Sequence, residues 1–396
     1  MVGSEVGWDA DPVVARRAGL PPLAAAMTAD VCVIGLGGSG LAAVGEAVRR
    51  GLSVVGLDAG RVAAGAAGRN GGFLIAGPAI ALHQAAAGWE PGAALDLYRR
   101  TLDEIGALAE LLGPDVVRRE GSLRLAGLPA ASGHAEDDAE AADRDAELAD
   151  CLEQERALRE YGIAVQRYDG PLGQGLFLPD DAAMNPARRA LGLAEIYGVR
   201  AQLFENSPVR SVHTGRVVTD AGQVSAALVV VAVDGKLEVL LPELTARVRT
   251  TRLQMLSTEP LPPGPSGEAR LPCPVYSRWG YDYAQQDTAG RLFIGGGRDQ
   301  DVDAEWTLDT TPTATVQGWI EHAAARFAGA PVRVTHRWAA SAGYTPDARP
   351  LVTEVRPGVV ACGGYNGTGN LVGPVAARAA LALGLDGTSP PACFAS

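Results

Sequence analysis

The chain has 396 residues, 47% hydrophobic and 20% charged, with a net charge of −12 at pH 7. That makes it globular and long enough for two cores, and its acidity argues against a nucleic-acid partner, which demands basic surface. With no apolar run near the ~20 residues of a membrane span, no signal-peptide pattern, and five cysteines and five histidines too scattered for a disulfide framework or metal site, the expectation is a cytoplasmic protein without metal or membrane, its oligomeric state open.

Residues 1–28 read as an extension ending in Pro21-Pro22. An apolar strand, Val31 to Ile34, then enters Gly35-Leu36-Gly37-Gly38-Ser39-Gly40, followed by a helix from Leu41 to Arg50. A second apolar strand, Ser53 to Leu57, ends in Asp58. Each part has a mechanical task in holding a dinucleotide. Gly35 permits the tight turn, Gly37 lets backbone approach a pyrophosphate, and Gly40 lets helix and strand pack closely. The helix N-terminus carries partial positive charge towards the phosphates, and Asp58 can accept hydrogen bonds from a ribose. Glycine turns are common, but strand, turn, helix, strand and acid in this order specify a dinucleotide site. Small residues follow at Ala59, Gly60-Arg61 and Gly65 to Gly72.

Apolar spacing predicts a helix over residues 80–112, broken by Gly113-Pro114, then a short strand from Glu120 to Leu125. Residues 134–161 predict a solvated amphipathic helix, with Ala146, Leu148, Leu152 and Leu158 as its apolar face. A helix over 185–200 precedes strands at Gln202 to Glu205, Val209 to His213, Arg216 to Thr219 and Leu228 to Val233. The last of these is apolar throughout, as a strand buried on both faces should be. Thr251 to Thr258 predicts a further strand, followed by a proline-rich connection over 260–274. Tyr276 to Gln285 and Arg291 to Gly295 read as a hairpin, which places Trp279, Tyr281 and Tyr283 on one strand face. Such rings pack a sheet and can also line a pocket that attracts an amine.

Towards the C-terminus, Thr345-Pro346-Asp347 precedes a buried strand, Val359 to Cys362. Gly363-Gly364-Tyr365-Asn366-Gly367-Thr368-Gly369-Asn370 then opens a helix from Leu371 to Leu383. A glycine loop entering a helix presents free N–H groups.

Together these motifs resemble the D-amino-acid oxidase / glycine oxidase / sarcosine oxidase superfamily of FAD enzymes across almost the whole chain. The Gly68-Arg69-Asn70-Gly71-Gly72 run is most similar to its gamma-glutamylputrescine oxidoreductase branch. The resemblance implies an α/β fold, a Rossmann-type FAD domain with an inserted antiparallel-sheet substrate domain. Its expected boundaries are 1–80, 165–240 and 335–396 for FAD, and 81–164 and 241–334 for substrate. It implies FAD contacts at Gly35, Gly37, Gly38, Ser39, Gly40, Asp58, Ala59, Arg61, Ala67, Gly68, Arg69, Asn70, Gly71, Val209, Gly364, Gly367, Thr368, Gly369 and Asn370. The final glycine loop would face the flavin's pyrimidine edge, where its dipoles favour the reduced ring.

Departures from the family pattern carry their own expectations. Ala340-Ser341-Ala342 stands where sarcosine oxidases attach FAD through cysteine, so FAD should be non-covalent. Ala342 and Leu371 stand where relatives anchor a substrate carboxylate, so amines lacking one should be preferred unless Arg69, Arg278 or Arg298 reaches the pocket. Phe293 stands where sarcosine oxidases keep an oxygen-activating lysine, and Lys236 is the chain's sole lysine. Reoxidation by oxygen should therefore be slow, and Phe293→Lys should accelerate it. Thr368 stands where a histidine is common. The expected activity is oxidation of a C–N bond in an amine or amino-acid-like small molecule, with hydride passing to flavin N5. Tyr281 and Tyr344 are the catalytic candidates, with Tyr283 and Asp282 beside them. The alternatives are an FAD dehydrogenase or monooxygenase of a secondary metabolite, or a flavin-binding protein that has lost turnover.

Overall fold

A computed structural model describes residues 6–130, 137–263 and 270–395. Two large sheets lie side by side, and the loops between them carry the site.

The first sheet runs Val209–His213, Arg216–Thr219, Gln223–Val231, Ala26–Ile34, Val54–Leu57 and Gln202–Phe204, with Val359–Gly363 joined to Gln223–Val231 and Leu351–Arg356 joined in turn to Val359–Gly363. Its centre is parallel, with Val31 opposite both Val54 and Leu228. Along Ala26–Ile34, Val31 and Val33 enter the core beneath the helices Gly38–Arg49 and Val372–Asp386. Cys32 and Ile34 enter the core on the opposite face. A strand buried on both faces can be apolar without alternation, which is how it stood out in the sequence.

The second sheet runs Val334–Tyr344, Arg249–Pro260, Arg291–Gly296, Asp282–Gln286, Val275–Ser277, Ser122–Leu125, Gly173–Leu178 and Gln166–Gly170. It is antiparallel except where Val275–Ser277 meets Ser122–Leu125. Helix Ala314–Ala328 buries Val316, Ile320, Ala323 and Phe327 against it. The fold class is thus the expected Rossmann-type sheet combined with a largely antiparallel one.

Several elements depart from the sequence expectation. The helix expected over 80–112 divides into Leu82–Gly88 and Ala93–Leu112, because Pro91-Gly92 cannot continue a helix. Helix Asp138–Glu160 turns Glu147, Cys151, Gln154, Glu155 and Leu158 inward, while Ala146 and Leu152 are exposed. Its buried face is therefore mostly polar, and an apolar count could not find it. The start of this predicted helix, 134–136, and part of the proline-rich connection, 264–269, fall outside the described residues. The aromatic strand breaks as well. Arg278 and Trp279 have φ of 50° and 52°, so the chain makes a short left-handed turn that splits the expected strand into Val275–Ser277 and Asp282–Gln286, paired antiparallel.

The N-terminal extension is packed rather than loose. Trp8 is 1% exposed, and its ring stacks on Phe293 at 3.5 Å between centroids, with 8° between planes. Further along the segment, the buried carboxylate of Glu205 accepts from the N–H of Leu20 (2.8 Å), the N–H of Val62 (2.7 Å) and the guanidinium of Arg17.

Candidate active site

One cavity of about 1450 Å³ runs from the C-terminal edge of the parallel strands to the face of the second sheet. That exceeds the ~300–1,000 Å³ of a pocket for one small ligand, and leaves room for a dinucleotide with a substrate beside it.

The glycine turn forms one end. Gly35, Gly37, Gly38 and Ser39 line the cavity with Asp58 and Ala59. Gly40 does not, because its role is packing: a Cβ there would fall 1.7 Å from the Gly35 carbonyl oxygen. Asp58 accepts from the N–H groups of Leu36 (2.8 Å) and Gly60 (2.9 Å). Burial pushes its pKa up, opposed by those two bonds. A carboxylate offers about four acceptor sites, so Asp58 ties the turn together and keeps capacity for a ribose. Val209 lines the wall nearby, whereas Arg61 is exposed and does not.

Ala67, Arg69, Asn70 and Gly71 form the next stretch of wall, with Gly68 turned away against the Ala63 carbonyl. This run is held from behind. The indole N–H of Trp8 donates to the Asn70 carbonyl (2.9 Å), and that of Trp338 to the Arg69 carbonyl (2.7 Å). The Asn70 amide donates to Ala66 (2.9 Å) and accepts from the Gly72 N–H (2.8 Å) and the Asn370 amide (3.0 Å). The Gly65–Gly72 run and the last glycine loop are therefore joined side chain to side chain.

In the last loop, Gly367, Thr368, Gly369 and Asn370 line the cavity, and Gly364 lies behind against Thr345. The Thr368 hydroxyl donates to the Tyr365 carbonyl at 2.8 Å, so it closes the turn. Asp234, at the end of the apolar strand, accepts from the N–H groups of Gly343 and Tyr365, both at 3.1 Å. Burial pushes its pKa up to about 6.

At the other end stand Tyr276, Trp279, Tyr281, Tyr283, Tyr344, Met255 and Arg298. The expected aromatic trio does line the cavity, but from a turn and a strand rather than one strand face. Glu147 shapes that turn by accepting from the N–H groups of Trp279 (2.7 Å) and Arg278 (3.1 Å). Asp282 is buried away from the cavity and accepts from Arg278 (2.7 Å), the Trp319 indole (3.0 Å) and the Gly297 N–H (3.1 Å). It is a structural group, and Arg278 is held between it and Asp299.

Arg298 differs. Its guanidinium carbon lies 4.8 Å from the Tyr344 ring centroid and 5.1 Å from that of Trp306, and its buried Nη1 has no hydrogen-bond partner among the described residues. Burial pushes the Tyr344 phenol up to about 12, opposed by Arg298. Leu371 and Ala342 line the cavity as apolar groups, and Arg69 and Arg298 are cations on the same wall. Phe293 does not reach the cavity, because Trp8 covers it. Among the described residues no cysteine or histidine lines the cavity, and no cluster of His, Cys, Asp and Glu could hold a metal. A bound flavin thus has no thiol on the wall to attach to.

The residues fit FAD. The cavity pairs a glycine turn at a helix N-terminus with an acid after the second strand, a combination that matches a dinucleotide. Buried Nε atoms of Arg69 and Arg189 and the Tyr365 hydroxyl lack partners among the described residues, and polar groups left so are uncommon in a finished core. Sequence reasoning missed Trp8, Glu147, Asp234, Met255 and Arg189 as parts of the site. Only Glu147 left a trace, spaced with Cys151, Gln154 and Leu158 along one helix face.

Comparison with known proteins agrees. The profile of the DAO family, described as FAD dependent oxidoreductase, matches residues 30–383. A probable oxidoreductase OrdL of Rhizobium meliloti (strain 1021) is 25% identical over 393 residues, covering 94% of this chain and 87% of that protein. Gamma-glutamylputrescine oxidoreductase of Escherichia coli (strain K12) is 27% identical over 304 residues, 68% of this chain and 65% of that one. The crystal structure of glycine oxidase from Geobacillus kaustophilus superposes with a TM-score of 0.66 at 19% identity, covering 89% of this chain and 93% of that one. No helix among the described residues is long and apolar enough to cross a membrane.

Proposed function

Since the chain belongs to the FAD-dependent oxidoreductase (DAO) family, we propose that it oxidises a C–N bond in an amine or amino-acid-like substrate whose anionic group pairs with Arg298. One observation carries the finer part: a buried guanidinium nitrogen without a partner, flanked by Tyr344 and Trp306, on the wall of the cavity that also holds the glycine turn. A buried cation without a counter-charge is costly, and a substrate carboxylate would supply one in bidentate geometry. This reverses the preference expected from Ala342 and Leu371.

The chemistry that FAD supplies when bound is acceptance of a hydride at N5, which takes the amine to an imine that water then hydrolyses. The chain's own residues bind and orient. Tyr344 stays protonated at neutral pH, so it donates a hydrogen bond to the substrate and does not act as a base. Tyr281, at the mouth, closes over the amine together with Trp279 and thins the water there. Tyr281 and Tyr344 are thus the proposed catalytic contacts, acting through position and a dry pocket. In this reading the first sheet and its glycine loops hold FAD (1–80, 165–240 and 335–396), and the second holds substrate (81–164 and 241–334). Two edges are adjusted, since Gln166–Gly170 and Gly173–Leu178, and likewise Val334–Tyr344, pair into the second sheet. The five free, buried cysteines support a reducing, cytoplasmic setting.

Anaerobic bleaching of the yellow protein by an amine and by its α-carboxylated analogue tests the reading. The carboxylated compound should reduce the protein better, and Arg298→Met should erase that advantage, about 10- to 100-fold for a charged hydrogen-bonded pair. Preference for the bare amine, or an advantage that survives in the variant, rejects the role of Arg298. Failure of every amine and amino acid favours a flavin-binding protein without turnover.

A further inference from the structure

We propose that Arg189 is a cofactor-binding cation that pairs with the FAD pyrophosphate from beneath the first turn of helix Gly38–Arg49. The glycine motif by itself supplies only backbone N–H groups and the helix dipole to a phosphate. Here a full positive charge stands directly behind them. A Cβ placed on Gly38 would lie 2.6 Å from Nη1 of Arg189, 2.9 Å from Nη2 and 3.0 Å from the guanidinium carbon. The guanidinium is therefore packed against the first residue of the helix, and Arg189 and Gly38 both line the cavity.

The side chain comes from helix Pro186–Gly198 and is 1% exposed. Its partners do not neutralise it. Nη2 donates to the Asn370 carbonyl at 2.8 Å, Nη1 reaches the Asn370 amide oxygen at 3.4 Å, and Nε has no partner among the described residues. Glu104 and Tyr197 act on it through space, but the Glu104 carboxylate is already paired with Arg378. Burial lowers the Arg189 pKa to about 10, so the group remains charged at neutral pH.

A charged guanidinium held in the interior with only neutral acceptors is costly unless an anion completes it. The anion that belongs at this helix terminus is a phosphate. The bonds to Asn370 then act as a bracket. They aim the guanidinium at the turn and join it to the Asn370–Asn70 pair, so that the phosphate end and both glycine loops share one polar network.

The test reads binding to the full-length protein and requires no turnover. Affinity for FAD, and competition by ADP and by riboflavin as phosphate-bearing and phosphate-free probes, are measured for wild type, Arg189→Met and Arg189→Lys. Arg189→Met should weaken FAD and ADP about 10- to 100-fold, as for a lost charge-assisted hydrogen bond, and leave riboflavin within about threefold. Lysine should restore part of the loss, since it keeps the charge without the planar fork. If Arg189→Met does not fold, the lysine variant carries the test, with FAD and ADP weakened together and riboflavin spared. Unchanged FAD affinity in Arg189→Met or Arg189→Lys, or riboflavin weakened as much as FAD, would each overturn the assignment.

Discussion

Replacing Trp8 should loosen the flavin loop from a distance in sequence of some sixty residues, and the size of the effect can be worked from its contacts. The indole is 1% exposed, stacks on Phe293 at 3.5 Å, and donates to the Asn70 carbonyl at 2.9 Å. Truncating a buried tryptophan to alanine costs about 3–5 kcal/mol, and a carbonyl left without its donor adds about 1–3 kcal/mol. Trp8→Phe keeps a ring on Phe293 but loses the N–H, and should cost about 2 kcal/mol. The segment cannot simply swing away, because Arg17 and Leu20 are bound separately to Glu205. Urea unfolding followed by circular dichroism, with and without excess FAD, measures both losses. Release of FAD should accelerate in the same order, alanine ahead of phenylalanine, because the released carbonyl belongs to the run that lines the cavity. An alanine variant within about 1 kcal/mol of wild type, or a phenylalanine variant as damaged as alanine, would refute the idea that Trp8 pins this loop.

Two further outcomes follow from the site. Reduced protein mixed with air-saturated buffer in a stopped-flow should reoxidise slowly, since oxygen reduction gains from a fixed charge near the ring and the strand position expected to carry one is Phe293, shut behind Trp8. Phe293→Lys should therefore destabilise the protein and not accelerate the reaction, whereas Met255→Lys, on the cavity wall, should accelerate it; fast wild-type reoxidation or a stable, accelerated Phe293→Lys contradicts this. Asp181 is 1% exposed, accepts from the Ser122 hydroxyl at 2.6 Å and the Ala76 N–H at 2.9 Å, and burial raises its pKa from 3.8 to about 7. The folded state binds the extra proton, so stability is greatest below pH ~4 on this group's account and falls as pH rises towards 7, by a few kcal/mol in order of magnitude. Asp181→Asn should flatten that slope and be the more stable form at pH 8, as read from denaturant midpoints; an unchanged slope removes Asp181 from the account.

The cofactor end was legible from the sequence because its chemistry is local. Strand, glycine turn, helix and acid lie within thirty residues, and each glycine answers to backbone that is its neighbour in the chain. Gly40 needs no tertiary information, because the atom that excludes a side chain there, the Gly35 carbonyl oxygen, is five residues away. The apolar strands of the first sheet were legible for a similar reason, since burial on both faces leaves a run of Val, Ile and Leu that no surface element would tolerate. The substrate end was not legible. Arg278 and Trp279 adopt left-handed backbone where Glu147, on a helix some 130 residues earlier, accepts their N–H groups, and no periodicity in residues 276–285 encodes that. Whether Arg278 or Arg298 is the free cation depends on Asp282 and Asp299 pairing with the first and leaving the second between two rings. Trp8 in a polar extension, and Arg189 one turn into an ordinary helix, acquire meaning only from what the fold sets against them. Local backbone geometry and burial period are written along the chain, whereas the partner of a side chain is chosen by tertiary packing, where residues hundreds of positions apart compete for the same few ångströms.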